Sequence, residues 1–393
     1  MMMMIRRSIQ DSVVSSMAKN PVTAILGPRQ AGKTTLSKEI ISAIPDSMYL
    51  DLEKPSDREM LTDPEQFFRV YNRRTICLDE IQLMPDIFSV MRSIIDDDEY
   101  KNSFLITGSA SPELLRQSAE TLAGRIAFYE LTPVSLNELG AAFSLEAYSL
   151  RGGFPLSLLS ESDAESYSWR ENFVLTFLER DLRRFGLNIP PETLRRLWKM
   201  IAHINGQVLN YSQLSTALGH SDMTVRKYIS ILEGTYMLRI LQPFHMNIKK
   251  RLIKSPKLYI RDAGIANALL NIRVFEELFS HPVYGSIWES ICLESIIQKF
   301  DEWEPYYYRT SGGNELDLVL TRANSRIVVE LKASTTPGVG RGFWQALEDI
   351  NAERAYIIAP VKRAYPYKNN VWVLPLADFL KMEKPDEQMP YIG

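Results

Sequence analysis

Eight consecutive residues, Gly27-Pro28-Arg29-Gln30-Ala31-Gly32-Lys33-Thr34, carry the spacing G-x-x-x-x-G-K-[ST] without a mismatch. These residue types in this order suit a bound polyphosphate. Two glycines let the backbone turn tightly enough for successive N–H groups to point inward as an anion nest. A helix starting at Lys33 adds its positive end. The lysine can reach the β- and γ-phosphates of a nucleotide, and the Thr34 hydroxyl can hold Mg²⁺. The expected binding set is Gly27, Pro28, Arg29, Gln30, Ala31, Gly32, Lys33, Thr34 and Thr35.

Such a cradle needs an acid at the end of another strand. Thr75-Ile76-Cys77-Leu78-Asp79-Glu80 supplies two. Asp79 would hold Mg²⁺ with Thr34, directly or through water, and Glu80 would polarise the attacking water. Two acids after an apolar strand are also ordinary strand-end solvation. The cradle upstream tips the reading to catalysis by Lys33, Asp79 and Glu80, and a glutamate here argues for hydrolysis over mere nucleotide sensing. Phe104–Ser109 ends a further strand in small polar residues, so Thr107 and Ser109 are candidate γ-phosphate sensors. Arg125 is a candidate arginine finger, as are Arg180, Arg183 and Arg184 in the run Glu179–Arg184. A solvated helix face with Glu/Arg pairs explains that run equally well.

A second constellation lies nearer the C-terminus. In Glu315-Leu316-Asp317-Leu318-Val319-Leu320 the acids alternate and share one face of a strand. Ile327-Val328-Val329-Glu330-Leu331-Lys332 places Glu330 and Lys332 on one face of another. Paired as a hairpin, the two strands bring Asp317, Glu330 and Lys332 together, and Glu289 on the preceding helix can join them. Carboxylates with a lysine are the equipment of phosphodiester cleavage: the acids hold Mg²⁺ and the lysine positions or activates water. A hairpin of solvated, paired charges would carry the same residues.

Elements of predictable type must hold these residues. Ile5, Ile9, Val13 and Met17 recur four apart, an amphipathic helix that Pro21 closes. Strands at Val22–Leu26, Met48–Leu52, Thr75–Leu78, Phe104–Thr107 and Ile126–Leu131 alternate with helices at Lys33–Ala43, Pro55–Val70 (broken at Pro64), Asp86–Ile95 and Pro112–Leu122. Such alternation means a parallel sheet covered by helices on both faces. Residues 164–245 read as almost wholly helical. From about residue 285 a second α/β pattern begins, with a helix Ser286–Phe300, strands Tyr306–Tyr308, Glu315–Leu320, Arg326–Leu331, Ala355–Ile358 and Val371–Val373, and a helix near Trp344–Ile350. The expected division is 1–140, 141–265 and 266–393.

Within the middle segment, Leu209–Leu241 reads as a helix-turn-helix. Tyr211–Leu218 is its first helix, and Gly219 its turn. Ser221 or Asp222 caps a second helix with Val225, Ile229 and Leu232 inward and Thr224, Arg226 and Lys227 outward. A strand Tyr236–Leu241 would begin a wing. Lys249, Lys250, Arg251, Lys254, Lys257 and Arg261 follow with no acid among residues 249–261, a patch able to neutralise DNA phosphates. The same architecture also serves as a lid or a protein contact.

The strings GPRQAGKTT (27–35), YLDLE (49–53), CLDEIQ (77–82), LITGSA (105–110) and LAGR (122–125) together resemble the AAA+ ATPases, more narrowly the prokaryotic members that carry a C-terminal domain of unknown function. The resemblance covers essentially the whole chain. It implies ATP and Mg²⁺ as cofactors, ATP hydrolysis as the activity and a tendency to homo-oligomers, and it supplies no pathway. The D-x₁₂-E-x-K arrangement with an upstream helical glutamate resembles the PD-(D/E)xK restriction-endonuclease fold. That resemblance implies catalytic positions at Asp317, Glu330 and Lys332, an auxiliary acid at Glu289 and a weaker match at Gln345. The proline before Asp317 is missing. The expected fold is therefore α/β: a P-loop parallel-sheet AAA+ core, a helical and winged-helix middle, and a C-terminal restriction-endonuclease-like α/β domain. ATP hydrolysis controlling the C-terminal domain is the leading function. An ATP-regulated nuclease or nucleic-acid-binding protein, and a nucleotide-dependent signalling switch acting on a protein partner, stand as alternatives.

Composition sets outer bounds on these readings. A chain of 393 residues is too long for one ordinary domain. It is 45% apolar and 24% charged, the balance of a soluble globular protein. The net charge of −3 provides no global basic field, so nucleic acid would have to meet local patches. Cys77 and Cys292 lie far apart in apolar runs, which reads as buried thiols in a reducing compartment and not as a disulfide framework or a zinc site. Met1–Met4 runs straight into Ile5-Arg6-Arg7, unlike a secretory signal, and no apolar run approaches the roughly 18–20 residues of a membrane span. A cytoplasmic protein without membrane contact is expected.

Overall fold

Five short apolar runs pair edge to edge, and their order decides where the chemistry sits. In a computed structural model, which describes residues 5–97, 102–109, 122–140, 143–182, 189–245 and 252–387, these are β1 (Val22–Leu26), β2 (Met48–Asp51), β3 (Thr75–Asp79), β4 (Ser103–Gly108) and β5 (Ile126–Glu130). They form an all-parallel sheet in the order β2-β3-β4-β1-β5. Every residue of β1 is buried, as are Ile76–Asp79 and Phe104–Gly108. Near-continuous apolar runs of this kind belong to strands covered on both faces. The register sets Leu26 beside Gly108, Ile25 beside Thr107, Leu78 beside Ile106 and Asp79 beside Asp51. All these strand ends therefore meet at one edge. β4 separates β1 from β3, so the cradle and the acids are about 10 Å apart at the backbone, within side-chain reach.

The helix Lys33–Ser42 leaves that edge and buries Leu36, Ile40 and Ile41. They pack with Ile25, Cys77, Leu105 and Val13, the last from the helix Gln10–Met17. The helix expected from Ile5 thus begins only at Gln10. The break at Pro64 splits its stretch into Pro55–Met60 and Pro64–Val70, and the Asp63 side chain caps the second by accepting from the Gln66 N–H at 2.9 Å. The expected helix Pro112–Leu122 lies outside the described residues, Leu122 apart.

Met1–Val134 with Ile231–Met237 form one compact unit, and Ser135–Ser230 with Leu238–Gly393 form another. The segments expected as 141–265 and 266–393 are therefore gathered into one unit. Backbone stitching explains this. Strand β6 (Leu238–Leu241) pairs antiparallel with β7 (Lys257–Ile260), and isolated bridges link Pro243 to Tyr307 and Leu252 to Thr310. The helices Pro191–His203, Tyr211–Leu218 and Asp222–Gly234 precede β6. Gly219, at φ 72°, closes the second of these, and Ser221 Oγ accepts from the Thr224 N–H at 3.2 Å. Val225, Ile229 and Leu232 are buried, while Arg226 and Lys227 are exposed. The strand starts at Leu238 and not at Tyr236, whose φ of 65° is left-handed.

The second unit also holds a six-stranded mixed sheet. Its strands are β8 (Glu304–Arg309), β9 (Glu315–Arg322), β10 (Ser325–Leu331), β11 (Arg354–Ile358), β12 (Tyr365–Pro366) and β13 (Val371–Leu374), in the order β12-β13-β11-β10-β9-β8. Strands β10, β11 and β13 run parallel, and the other pairings are antiparallel. The helix Arg341–Ile350 buries Phe343, Ala346 and Ile350 in a core with Val319, Val328 and Ile357. In the helical part, Arg170 is fully buried and donates to the carbonyls of Leu150 (2.9 Å), Gly264 (3.0 Å) and Ser166 (3.1 Å). Beside it Asp262 accepts from the N–H groups of Gly153 (2.7 Å) and Ile265 (2.9 Å). A Cβ on Gly152 would lie 2.2 Å from Asp262 Oδ1, and one on Gly264 would lie 2.1 Å from the Arg151 carbonyl, so both sites need glycine.

Candidate functional site

The loop between β1 and the helix Lys33–Ser42 winds through left-handed backbone, with Gln30 at φ 62° and Gly32 at φ 101°. Lys33 is only 4% exposed, and its ammonium donates to the carbonyls of Gly27 (3.0 Å) and Pro28 (2.8 Å). Burial pushes its pKa down to about 8, although Glu80 and Asp79 pull the other way. Behind the loop, Arg7 donates to the Ala31 carbonyl at 2.8 Å and the Thr132 carbonyl at 2.6 Å. Carbonyls of an anion nest point away from the anion, and Arg7 satisfies one of them. Arg29 pairs with Glu53 at 3.3 Å, and Thr35 is exposed in the first helical turn.

The acid strand delivers Asp79 to the same edge, 2% exposed. Its Oδ2 accepts from Thr34 Oγ1 at 2.7 Å and from the Tyr49 hydroxyl, and its Oδ1 accepts from Thr107 Oγ1. Burial and then the bond to Asp79 raise the Tyr49 pKa, so that hydroxyl stays a donor. Glu80 turns the chain with left-handed backbone (φ 61°, ψ 49°). Its N–H donates to Thr107 Oγ1 at 3.3 Å, and its Oε2 accepts from Gln82 Nε2 and from Ser109 Oγ, the latter at 3.2 Å. The structure therefore brings together Lys33, Thr34, Asp79, Glu80, Thr107 and Ser109. It adds Tyr49 and Gln82, whose places inside the motif strings were the only signal, and Arg7, for which the sequence carries none.

Arg125 is placed elsewhere. It precedes β5, at the starting edge of the parallel sheet, and its Nε lies 2.7 Å from Asp96 Oδ1. Five residues of strand, about 16 Å, separate that edge from the cradle. Arg180 is exposed in the π-helical segment Phe177–Asp181, and Arg183 and Arg184 lie outside the described residues.

The second constellation also assembles, with an addition. Val329 pairs with Leu318 across β10 and β9, and just beyond them the Leu331 N–H donates to Asp317 Oδ2 at 3.0 Å. Lys332 Nζ lies 2.6 Å from Glu330 Oε1 and 4.0 Å from Asp317 Oδ2. Burial and then Asp317 raise the pKa of both Glu289 and Glu330. The addition is Lys257 of β7, counted above with the DNA-facing bases. Its Nζ lies 2.7 Å from Glu315 Oε1 and 3.5 Å from Asp317 Oδ1. Burial opposes its charge, but Asp317, Tyr259 and Glu315 more than restore it, so its pKa stands well above the usual value. Arg261 is likewise turned inward, onto Glu294 at 2.9 Å. Of the expected basic patch only Lys254 is described as exposed, since residues 249–251 lie outside the described residues. Both cysteines are buried and free. No helix of the described residues is long and apolar enough to cross a membrane.

Comparison with known proteins bears on each segment. Residues 19–140 match the model of an AAA domain, and residues 142–276 and 284–379 match two domains of unknown function, DUF8612 and DUF4143. The chain is 35% identical over 386 residues to the uncharacterized protein Rv2008c of Mycobacterium tuberculosis, covering 98% of this chain and 87% of the relative. The uncharacterized protein Mb2031c of Mycobacterium bovis matches to the same extent. Among solved structures, the Walker-type ATPase paby2304 of Pyrococcus abyssi overlays with a TM-score of 0.47 at 13% identity, covering 68% of this chain and 96% of that one.

Proposed function

The chain belongs to the family of the mycobacterial proteins Rv2008c and Mb2031c, and on that footing we propose that it is an ATPase that binds ATP with Mg²⁺ in the Gly27–Thr35 cradle and hydrolyses it to control its second unit. The contact that carries this reading is Thr34 Oγ1 to Asp79 Oδ2 at 2.7 Å. It unites the end of the cradle with the acid of a non-adjacent strand, where a nucleotide-bound divalent ion needs ligands. The AAA domain match over residues 19–140 supports the same assignment.

The residues present fit both cofactors. The nest and the helix start at Lys33 present N–H donors to phosphate oxygens. Lys33 sits buried on the cradle's own carbonyls, ready to exchange them for phosphate. Thr34 and Asp79 would hold Mg²⁺, which when bound neutralises charge on the transferred phosphoryl group. Glu80 orients the attacking water and accepts its proton. Gln82 and Ser109 hold the Glu80 carboxylate, and Thr107 fixes both the Asp79 side chain and the Glu80 backbone. With Arg125 at the far edge, an arginine supplied by a second copy of the chain would complete the site, as in a homo-oligomer. The alignment with Rv2008c runs through all three segments, which supports coupling between nucleotide turnover and the second unit.

An ATPase assay with Mg²⁺, with and without DNA and RNA, tests the proposal. Lys33→Ala is expected to abolish turnover, and Glu80→Gln to keep binding but block hydrolysis. Parental turnover in Glu80→Gln would refute the role given to that carboxylate.

A further inference from the structure

The acids Glu289, Asp317 and Glu330 invite a divalent cation, and the packing supplies a different one. Lys257 reaches them from β7 with its side chain 3% exposed. Its ammonium lies between Glu315 Oε1 and Asp317 Oδ1, at 2.7 and 3.5 Å. On the other side, Lys332 Nζ stands 2.6 Å from Glu330 Oε1 and 4.0 Å from Asp317 Oδ2, which also accepts from the Leu331 N–H. Both oxygens of Asp317 are thus engaged, one toward each ammonium. Glu330 Oε2 is buried and has no hydrogen-bond partner among the described residues.

Mg²⁺ is held by oxygens in near-octahedral order, and the Asp317 carboxylate that would anchor it is already taken at both oxygens, by the two ammonium groups and the Leu331 N–H. Among the described residues, no group of three or more His, Cys, Asp or Glu is arranged to hold a metal ion. The metal that an endonuclease-like reading implies therefore does not fit these side chains as they are packed. Two ammonium groups do, and buried carboxylates persist only when paired in this way.

We propose that Lys257 is a built-in cation: it takes the ground a metal would need and turns the Glu315, Asp317, Glu330 and Lys332 face into an internal ion-pair lock between β7 and the β9–β10 hairpin. The face is then not a metal-dependent nuclease centre. It holds the two domain-of-unknown-function segments together as one body.

The full chain, free of nucleotide, is unfolded thermally with and without Mn²⁺, and is incubated with plasmid DNA and RNA in Mg²⁺ or Mn²⁺. Wild type is expected to show no Mn²⁺-dependent rise in Tm that Asp317→Asn removes, and no cleavage. Lys257→Met is expected to lower the Tm by several degrees, because it takes the ammonium from Oδ1 of the buried Asp317 and leaves the half-buried Glu315 to Arg309 alone. Adding Asp317→Asn to Lys257→Met is expected to recover part of that loss. A Mn²⁺-dependent Tm rise abolished by Asp317→Asn, cleavage lost in Lys332→Ala, or a Lys257→Met protein as stable as wild type would each overturn the lock.

Discussion

Lys33 is where the cradle can be interrogated without knowing its downstream partner. The residue is 4% exposed and its ammonium donates to two carbonyls of the loop, and burial holds its pKa at about 8 instead of 10.5. A depression of that size corresponds to about 3 kcal/mol of unfavourable charge burial in the nucleotide-free protein. The unfolded chain binds the proton more tightly, so stability from this group rises with pH between about 8 and 10.5, and the cost is fully present below about 8. A bound triphosphate should reverse the depression, because it surrounds the ammonium with negative charge. Binding is then accompanied by proton uptake of about 0.5 at pH 8 and about 0.9 at pH 9, where the nucleotide is already fully ionised. If only the ammonium form binds well, affinity weakens about tenfold from pH 7 to pH 9. Calorimetric titration with a non-hydrolysable ATP analogue, in two buffers of unlike ionisation enthalpy, reads both quantities. Glu80 is the largest influence raising this pKa, so Glu80→Gln is expected to move the uptake window to lower pH. Affinity that stays flat between pH 7 and 9 with no proton uptake would refute the argument.

Two further substitutions probe the frame around the cradle. A Cβ on Gly27 would lie 2.1 Å from the Leu131 carbonyl, a backbone oxygen. Gly27→Ala is expected to destabilise the protein by about 1–3 kcal/mol in urea unfolding and to weaken ATP binding, because the loop must shift. Arg125→Ala removes a half-exposed ion pair with Asp96 at the opposite edge of the sheet. Stability and turnover are expected to stay within about twofold of wild type, and a hundredfold loss of turnover would restore Arg125 as the finger.

The sequence discloses the cradle because everything that makes it is local. Strand, turn, glycines, lysine and helix lie within twenty residues, and each has its own signature. Asp79 and Glu80 are legible for the same reason. Tyr49 and Gln82 are not, because their use depends on strand order: Tyr49 meets Asp79 only because β2 pairs with β3 in a register that aligns Asp51 with Asp79. Arg125 is a different case, because the string does not say whose site it serves. It sits next to a motif-like glycine, but a parallel sheet starts every strand at the edge away from its ligand. Lys257 is misread for a third reason. A run without acids looks like an exposed basic patch, yet the acids that claim this lysine are about sixty residues further on. Alternation of Asp317 and Glu315, and of Glu330 and Lys332, was enough to foresee a shared face, but not that a third strand would deliver a cation to it.

The buried Arg170 has a consequence in time. Its carbonyl partner at Gly264 is 94 residues further along the chain. At roughly 5–20 residues per second, ribosomal synthesis leaves the guanidinium waiting on the order of 5–20 s for that partner. Meanwhile the helix Asp163–Thr176 holds Phe173 and Val174, both destined for burial, next to a charge that cannot yet be buried. The helical half of the second unit is therefore finished by its own downstream neighbour, and a nascent chain that stops short of Gly264 carries an open seam instead of a completed fold.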